Sequence, residues 1–373
     1  MITMATNGFV VTPDYATAPG ETIKETLDAL SMTQDDLAQR LGITPKSVSK
    51  LINGKAPLTP RIAAQLELIF HVPAPFWNSL EKQYREFLER QEQKKVLNEK
   101  LDYTKHFPYS EMVKAGMVPE EREKSKRLEN LLKFFRFADF SAFEEVMESD
   151  PLSEGAYRID VKHYSVNQYA LHAWIQQGTI EAEEIDTAPF DRRRLVDSVT
   201  RLRALTRETR PSVFIPELQH IAADFGVAVV LVPELKGSRV SGLTRWLSPY
   251  PKAIIELSLR YKTNDVLWFT LFHELAHLVL HSKKMFYTLK KAEYLDSKEE
   301  READQWAANK LIPEPDWKRF VEVGSFGRSQ ILAFAQKVGI HEGIVVGRLQ
   351  RAGLLPYSVC SDLKVHYRWQ NDD

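Results

Sequence analysis

Cysteine and long hydrophobic runs are the two features that the sequence lacks most clearly. Its 373 residues include a single cysteine, Cys360, which excludes an internal disulfide framework and a zinc cage built from cysteines. No segment offers the long uncharged apolar run of about 20 residues that a membrane-spanning helix needs. The amino-terminal segment has neither the basic nor the apolar part of a secretory signal. We therefore expect a protein of the reducing cytoplasm, without a membrane partner.

A net charge of either sign is also lacking. The 50 lysines and arginines stand against 51 aspartates and glutamates, and the formal net charge is -1. Such a chain has no overall basic field that attracts nucleic acid. Any nucleic-acid site must therefore come from local clustering of basic residues. The length is sufficient for two or three domains with a sizeable core.

Local composition divides the chain into five segments. We expect a flexible arm over residues 1–18, a helical DNA-binding domain over 19–90, a helical connector over 91–205, a domain with a small antiparallel sheet over 206–315 and a helical segment over 316–373. Three β-branched, apolar stretches predict the strands of that sheet: VAVVLVP, VSGLTRWL and AIIELS. This order of elements predicts a mostly α protein with a small sheet, of the α+β class.

The stretch MTQDDLAQRLGITPKSVSKLINGK, residues 32–55, is patterned as two short helices joined by a tight turn. Thr33 and Asp36 form a plausible capping pair at the start of the first helix, and Gly42 ends it. Thr44 caps the second helix, and a proline follows at its first position, where a missing N–H costs nothing. The pattern is typical of a helix-turn-helix, whose second helix presents hydrogen-bond donors.

The polar side chains of this segment are candidates for contacting DNA. They are Gln34 and Thr44 at the two helix starts, and Lys46, Ser47, Ser49 and Lys50 along the second helix. No acidic residue lies between Asp36 and Glu67, whereas basic residues are frequent there, so phosphates would be attracted. The serines and lysines could reach base edges, but the bases that they read do not follow from the sequence. The alternative is a helical bundle without a DNA role.

These residues resemble the Xre-type helix-turn-helix regulators, and more closely the HigA-like antitoxins. The resemblance covers about residues 18–90 and includes VPAPFWNSLEKQY, in which Trp77 follows the last helix of the motif. Such proteins usually bind palindromic DNA as dimers and repress their own operon. The resemblance therefore implies double-stranded operator DNA as a partner, a homodimer and a cognate toxin protein.

Two histidines and a glutamate interrupt the apolar stretch FTLFHELAHLVLH, residues 269–281. On a helix, His273 and His277 lie one turn apart on the same face and can bind one ion. Glu274 reaches the edge of that site, where a carboxylate can accept a proton from water. Burial of these groups is expensive unless a partner satisfies them, and a metal ion is such a partner.

The acidic stretch EEREADQWAA, which follows, offers the third ligand. On the pattern of zinc peptidases that use a glutamate, Glu300 would bind the ion and Asp304 would orient a ligand histidine. Glu302 points to another face, and Glu299 stays open as an alternative ligand. The competing interpretation is an acidic, solvated helix start. Three protein ligands leave a position open, which predicts one catalytic Zn²⁺ and amide hydrolysis with Glu274 as the base.

The second half resembles the ImmA/IrrE metallopeptidase family. The matching stretches are VAVVLVPELKGSRVSGLTRWL, AIIELSLRYKTNDVLWFTLFHELAHLVLH and EREADQWAANKLIP, within about residues 211–315. The resemblance implies a zincin-like domain, thermolysin-like around the metal, and a peptide substrate that in some members is a partner repressor. The tryptophan in ADQWAA stands where the family often has phenylalanine. The AIIELS strand could dock a peptide along its edge.

Both motifs together favour a DNA-binding transcriptional regulator, the antitoxin of a HigBA-type operon, that carries a zinc-peptidase-like domain. Two alternatives stay open: a metallo-endopeptidase that cleaves a partner repressor or toxin, and a non-catalytic, metal-dependent sensor. Residues 332–350 also repeat the helix-turn-helix pattern. Their second helix is poor in donors, so we expect this repeat to pack in the core.

Overall fold

The computed structural model describes residues 15–149, 156–159, 166–247, 252–281 and 298–369. Most of the arm expected over residues 1–18 lies outside these described residues. The chain forms two compact units, Met1–Leu101 and Asp102–Asp373. Within the described ranges, no helix is both long and apolar enough to cross a membrane.

The first unit is helical. Its helices are α1 (Pro19–Ala29), α2 (Gln34–Leu41), α3 (Pro45–Ile52), α4 (Pro60–Phe70) and α5 (Ala74–Glu99). Their apolar faces meet in a core in which Val48, Leu66 and Trp77 are completely buried. The apolar residues of α2 and α3 therefore point inward, and the polar residues between them point to solvent.

Caps and glycines determine how α2 and α3 are joined. The capping pair of Thr33 and Asp36 is confirmed, because each side chain accepts a hydrogen bond from the other residue's backbone N–H. Gly42 ends α2 with a φ of 66°, in the left-handed region that glycine adopts without strain. Gly20 of α1 lies so close to α3 that a Cβ there would stand 2.0 Å from the Ile52 carbonyl oxygen.

The second unit is an α+β structure, and the predicted fold class is confirmed. Its helices are α6 (Tyr109–Lys114), α7 (Lys124–Phe135), α8 (Phe140–Glu148), α9 (Gln168–Glu183), α10 (Arg192–Leu205), α11 (Pro211–Asp224), α12 (Asn264–Leu280), α13 (Lys298–Leu311), α14 (Glu314–Val323), α15 (Arg328–Val338) and α16 (Glu342–Arg351). Its strands are β1 (Ala156–Ile159), β2 (Val227–Leu231), β3 (Val240–Leu247) and β4 (Lys252–Leu257).

The strands form a mixed sheet in the order β1-β3-β4-β2. The β3–β4 pair is antiparallel, as expected, and the β1–β3 pair, whose strand β1 was not predicted, is antiparallel as well. However, β2 pairs with β4 in parallel, so the prediction of an antiparallel sheet is wrong for β2. A buried apolar strand carries no local signal for its neighbour or direction. The AIIELS strand is β4, which has partners on both edges. Edge docking of a peptide on β4 is therefore also wrong.

Helices cover both faces of this sheet. Ala253, Ile255 and Leu257 of β4 belong to the core that includes the apolar side chains of α12. The opposite face packs against α9, where the Trp174 indole N–H donates to the Val232 carbonyl oxygen at 3.1 Å. Since side chains alternate along a strand, Glu256 points to the α9 face. Burial on both faces explains why these strands are almost continuously apolar.

Glu256 is a buried carboxyl group between the sheet and α9. Its side chain has no solvent exposure, and a Cβ on Gly178 of α9 would stand 2.0 Å from Oε2. Neither carboxyl oxygen accepts a hydrogen bond from any of the described residues. Burial raises the pKa of Glu256 well above its ordinary value, although the charge of Arg245 opposes this. We therefore expect a neutral carboxyl group in the folded protein.

We expect Glu256→Gln to stabilise the protein more at high pH than at low pH. The unfolded chain ionises Glu256 as the pH rises above 4.5, whereas the fold keeps it protonated. Wild-type stability thus falls as the pH rises towards the folded pKa, and the glutamine variant escapes that loss. Urea unfolding of both proteins at about pH 5 and about pH 8 measures the difference. The exposed Glu184→Gln on the loop after α9 is the control; equal effects of Glu256→Gln at both pH values would contradict the prediction.

Helices α15 and α16 form the segment that repeats the helix-turn-helix pattern. Gly339 ends α15 with a φ of 73°, much as Gly42 ends α2. However, Val345, Val346 and Leu349 of α16 are completely buried, and α16 packs against α12. The expectation that this repeat packs in the core is confirmed, because its second helix turns its apolar face to α12.

Candidate functional site

Helix α12 and helix α13 bring three metal-ligand side chains together. The Nε2 atoms of His273 and His277 lie 3.0 Å apart, and both rings are almost completely buried. The Glu300 carboxylate reaches both of them, with Oε2 at 3.2 Å from His273 Nε2 and Oε1 at 3.1 Å from His277 Nε2. These three residues form one group that could hold a metal ion.

The donor set fits a zinc ion. Two imidazole nitrogens and one carboxylate oxygen are the protein ligands of many catalytic zinc sites. Tetrahedral ligands at about 2.0–2.2 Å from one ion lie about 3.3–3.6 Å from each other. The ligand atoms here are separated by 3.0–3.2 Å, so small side-chain movements would admit the ion. The zinc cofactor and the individual ligand roles stay predictions that this geometry supports.

Each histidine has a second partner that orients its ring. His273 Nδ1 lies 2.9 Å from Asp304 Oδ1, so an Nδ1–H can donate to this carboxylate while Nε2 faces the metal-ligand group. His277 Nδ1 lies 3.0 Å from His281 Nδ1, and His281 Nε2 lies 3.6 Å from Glu302. The spacing of the acidic residues predicts the contact of Asp304, whereas no sequence signal indicates the contact of His281.

The protonation states of the ligands also suit a cation. Burial lowers the pKa of His277 to about 4, although its hydrogen bond to Glu300 opposes this shift. Burial would raise the pKa of Glu300, but hydrogen bonds from His273 and His277 outweigh it and hold that pKa well below its ordinary value. Near neutral pH His277 therefore offers a neutral imidazole and Glu300 an ionised carboxylate, the forms that bind metal.

Glu274 lies against strand β3. Its side chain has no solvent exposure, and the Thr244 hydroxyl donates to Oε2 at 2.7 Å. A Cβ on Gly242 would stand 2.6 Å from Glu274 Oε1, so this glycine makes room for the carboxylate. Sequence reasoning missed both β3 residues, because a lone threonine or glycine in a strand carries no signal of what lies opposite.

The structure separates Glu300 from its two acidic neighbours. Among the described residues, the group that could hold a metal contains Glu300 but neither Glu299 nor Glu302. Glu302 lies near His281 instead, and its side chain is 44% exposed. Helical periodicity explains this, because a residue one or two positions away points to a different side of α13.

The candidate DNA-contacting residues lie on the surface of the first unit. Gln34, Thr44, Lys46 and Lys50 are exposed, and Ser47 and Ser49 are half-buried. Basic side chains surround them at exposed positions: Arg40, Lys55 and Arg61. The structure therefore presents the polar face of α3 and the starts of α2 and α3 to solvent.

Three of these polar residues also have structural contacts. The Thr44 hydroxyl accepts from the Ser47 backbone N–H at 3.2 Å, and the two hydroxyl oxygens lie 2.9 Å apart. The Asn53 side-chain amide donates to the Ser49 carbonyl oxygen at 2.7 Å. By contrast, the described part of the chain supplies no ion-pair partner to Lys46 or Lys50, so both ammonium groups can meet a phosphate.

The first unit is a capped helix-turn-helix with a basic face, as in DNA-binding regulators. In the second unit a helix pair brings two histidines and a glutamate together, as in metallopeptidases. Comparison with known proteins agrees for both parts. Residues 23–77 match the helix-turn-helix family model, and residues 222–349 match the IrrE N-terminal-like domain of peptidase family M78. The chain therefore belongs to the helix-turn-helix family through its first unit and carries an IrrE N-terminal-like domain in its second.

A curated relative resembles the first unit. The chain is 35% identical over 63 residues to the uncharacterized HTH-type transcriptional regulator YddM of Escherichia coli (strain K12). The match covers 17% of this chain and 67% of that protein. The Xre-type and ImmA/IrrE-type resemblances are thus confirmed, whereas the HigA-like label stays a prediction.

Proposed function

We propose that this protein is a DNA-binding transcriptional regulator that reads double-stranded operator DNA with helix α3. The carrying observation is the exposed, basic face of α3, whose start is set by the Thr44 cap. Lysine side chains would neutralise phosphates, and Ser47 and Ser49 would contact base edges. The relative described as an HTH-type transcriptional regulator supports this role.

The finer proposal is that the protein is the antitoxin of a HigBA-type operon, acting as a homodimer on a palindromic operator in the cytoplasm. It rests on the resemblance of residues 18–90 to HigA-like antitoxins. A small reading frame for an RNase-like toxin next to this gene would support the proposal. Its absence, together with a failure to protect cells from a co-expressed neighbouring protein, would count against the antitoxin role.

We expect the double variant Lys46→Ala, Lys50→Ala to bind its own promoter much more weakly than the wild type. Each lysine that contacts a phosphate contributes about 0.9 to the slope of log K against log salt concentration, so the slope should fall by about 1.8. Fluorescence anisotropy with a labelled promoter duplex over a range of salt concentrations measures both quantities. The control is Lys82→Ala, Lys94→Ala on α5, which leaves α3 intact. Wild-type affinity and slope in the α3 variant would contradict the assignment.

We also propose that the second unit is a zinc-dependent endopeptidase that acts on a partner repressor or a toxin. His273, His277 and Glu300 would hold the ion, and Asp304 would orient His273. When bound, zinc acts as a Lewis acid that polarises the scissile carbonyl group. Glu274 would accept a proton from the attacking water and pass it to the leaving nitrogen. The Thr244 hydroxyl keeps the Glu274 carboxylate in place.

A non-catalytic sensor is the other function that the same ligands permit. A sensor would bind the metal through His273, His277 and Glu300 without needing a proton acceptor. The hydrogen bond from Thr244 to the buried Glu274, which follows His273 on α12, supports the peptidase, because a peptidase needs a proton acceptor there and a sensor does not. Removing the proton acceptor alone therefore distinguishes a peptidase from a sensor.

A further inference from the structure

Arg351 is the last residue of α16 and lies just beyond the matched metallopeptidase-like domain. Its Nη2 donates to Asp304 Oδ2 at 2.9 Å. The other oxygen of the same carboxylate accepts from His273 Nδ1, also at 2.9 Å. Arg351, Asp304 and His273 thus form a continuous chain of charge-assisted hydrogen bonds that leads from the carboxy-terminal helix to the metal-ligand group.

A second contact ties Arg351 to the ligand helix. The guanidinium carbon lies 4.4 Å from the centre of the Phe269 ring, in a cation–π arrangement. Phe269 is one helical turn before His273 on α12, and their rings have centroids 6.5 Å apart. Arg351 therefore contacts Asp304, whose carboxylate orients His273, and Phe269, whose ring packs beside the His273 ring.

Arg348, one turn before Arg351, explains how α16 is placed. Its guanidinium donates to the carbonyl oxygens of Ala308 and Ile312, at the end of α13, at 2.8 and 2.7 Å. The buried apolar face of α16 packs against α12 at the same time. Helix α16 is therefore held against both helices that supply metal ligands, and Arg351 reaches Asp304 from a rigid support.

We propose that Arg351 is a positioning residue of the metal centre: it holds Asp304 so that His273 keeps its Nε2 lone pair directed at a divalent cation. The inference rests on the proposed zinc site and adds a residue from the segment that repeats the helix-turn-helix pattern. Partners outside the ligand set commonly change metal affinity about 10- to 100-fold when removed. Arg351 acts through Asp304, so we expect an effect near the lower end of that range.

The ion pair itself is too exposed to contribute much to stability. The Arg351 side chain is 50% exposed and that of Asp304 is 41% exposed. Exposed ion pairs contribute little to folding because solvent screens them and the side chains lose conformational entropy. If this exposed pair had no role at the metal centre, replacing Arg351 would change neither the zinc affinity nor the folding stability. If Arg351 positions Asp304, replacing Arg351 changes the zinc affinity alone.

The test measures the zinc dissociation constant of the full chain by competition with a chromophoric chelator. We expect Arg351→Gln to weaken zinc binding about tenfold while the melting temperature of the metal-free protein stays unchanged. Arg351→Lys keeps a cationic donor and should recover part of the affinity. The matched control is Arg328→Gln, which removes an exposed pair with Asp362 that does not touch the metal centre. It should bind zinc like the wild type.

A double-variant cycle with Asp304→Ala tests whether Arg351 acts through Asp304. Once Asp304 is removed, Arg351→Gln should cause little further loss of zinc affinity, so the two effects are not additive. Additive effects, or equal losses in Arg351→Gln and Arg328→Gln, would overturn the inference. If both Arg351→Gln and Arg351→Lys bind zinc as tightly as the wild type does, this inference fails, but the proposed metal site stands. A wild-type chain that binds no divalent ion would overturn the proposed metal site as well.

Discussion

Replacing His273 with alanine should abolish stoichiometric zinc binding, whereas the wild-type chain should retain about one zinc ion through extensive dialysis. The substitution removes one of two imidazole ligands that lie 3.0 Å apart on α12. It also leaves Asp304 without the ring that it orients. Metal analysis of both purified proteins, together with a zinc titration, measures the difference.

The control for this experiment is His220→Ala, since His220 is an exposed histidine on α11. A surface histidine can bind zinc weakly, so the control reveals adventitious binding. Equal zinc content in the wild type and His273→Ala would show that the ion is held elsewhere. Loss of zinc in His220→Ala would contradict the assigned group in the same way.

Glu274→Gln should leave zinc binding intact and lower peptide hydrolysis by about 10²- to 10⁴-fold. Glutamine has nearly the same shape and can still accept the hydrogen bond of the Thr244 hydroxyl, but it cannot take a proton from water. Glu274 is not among the three residues of the metal-binding group, so the ligands stay in place. The effect should thus appear in catalysis alone.

The measurement compares the two proteins in cells that lack the native gene. New protein amino termini that arise with the wild type but not with Glu274→Gln identify the substrate and its cleavage site. Cleavage that persists with Glu274→Gln would exclude Glu274 as the base. If both proteins bind zinc and neither produces new termini, the sensor is the better interpretation.

The helix-turn-helix could be predicted in some detail because its signals are local. Thr33 and Asp36, three residues apart, cap the start of α2. Gly42 ends this helix in the left-handed backbone region, which glycine adopts without strain. Such features depend on neighbouring residues in the chain and not on distant contacts. The exposure of Lys46 and Lys50 follows from the same local periodicity.

The pairing of the strands in the sheet could not be predicted from local signals. Strands β2, β3 and β4 were predicted from their β-branched, apolar stretches, but the parallel pairing of β2 with β4 was not. The short strand β1, in the segment expected to be helical, was also missed. Strand order depends on which apolar faces are buried together, and many orders bury them equally well. The internal position of β4 therefore emerged only from the complete fold.

By itself, the sequence determined that His273 and His277 share one helix face, that Glu274 stands beside them and that α3 carries exposed lysines, because helical periodicity and capping act over a few residues. Only the tertiary structure decided that Glu300 meets both histidines, that Thr244 and Gly242 enclose Glu274, and that Arg351 reaches Asp304 from 47 positions away along the chain. These contacts join residues from separate elements, and packing of the whole second unit brings them together.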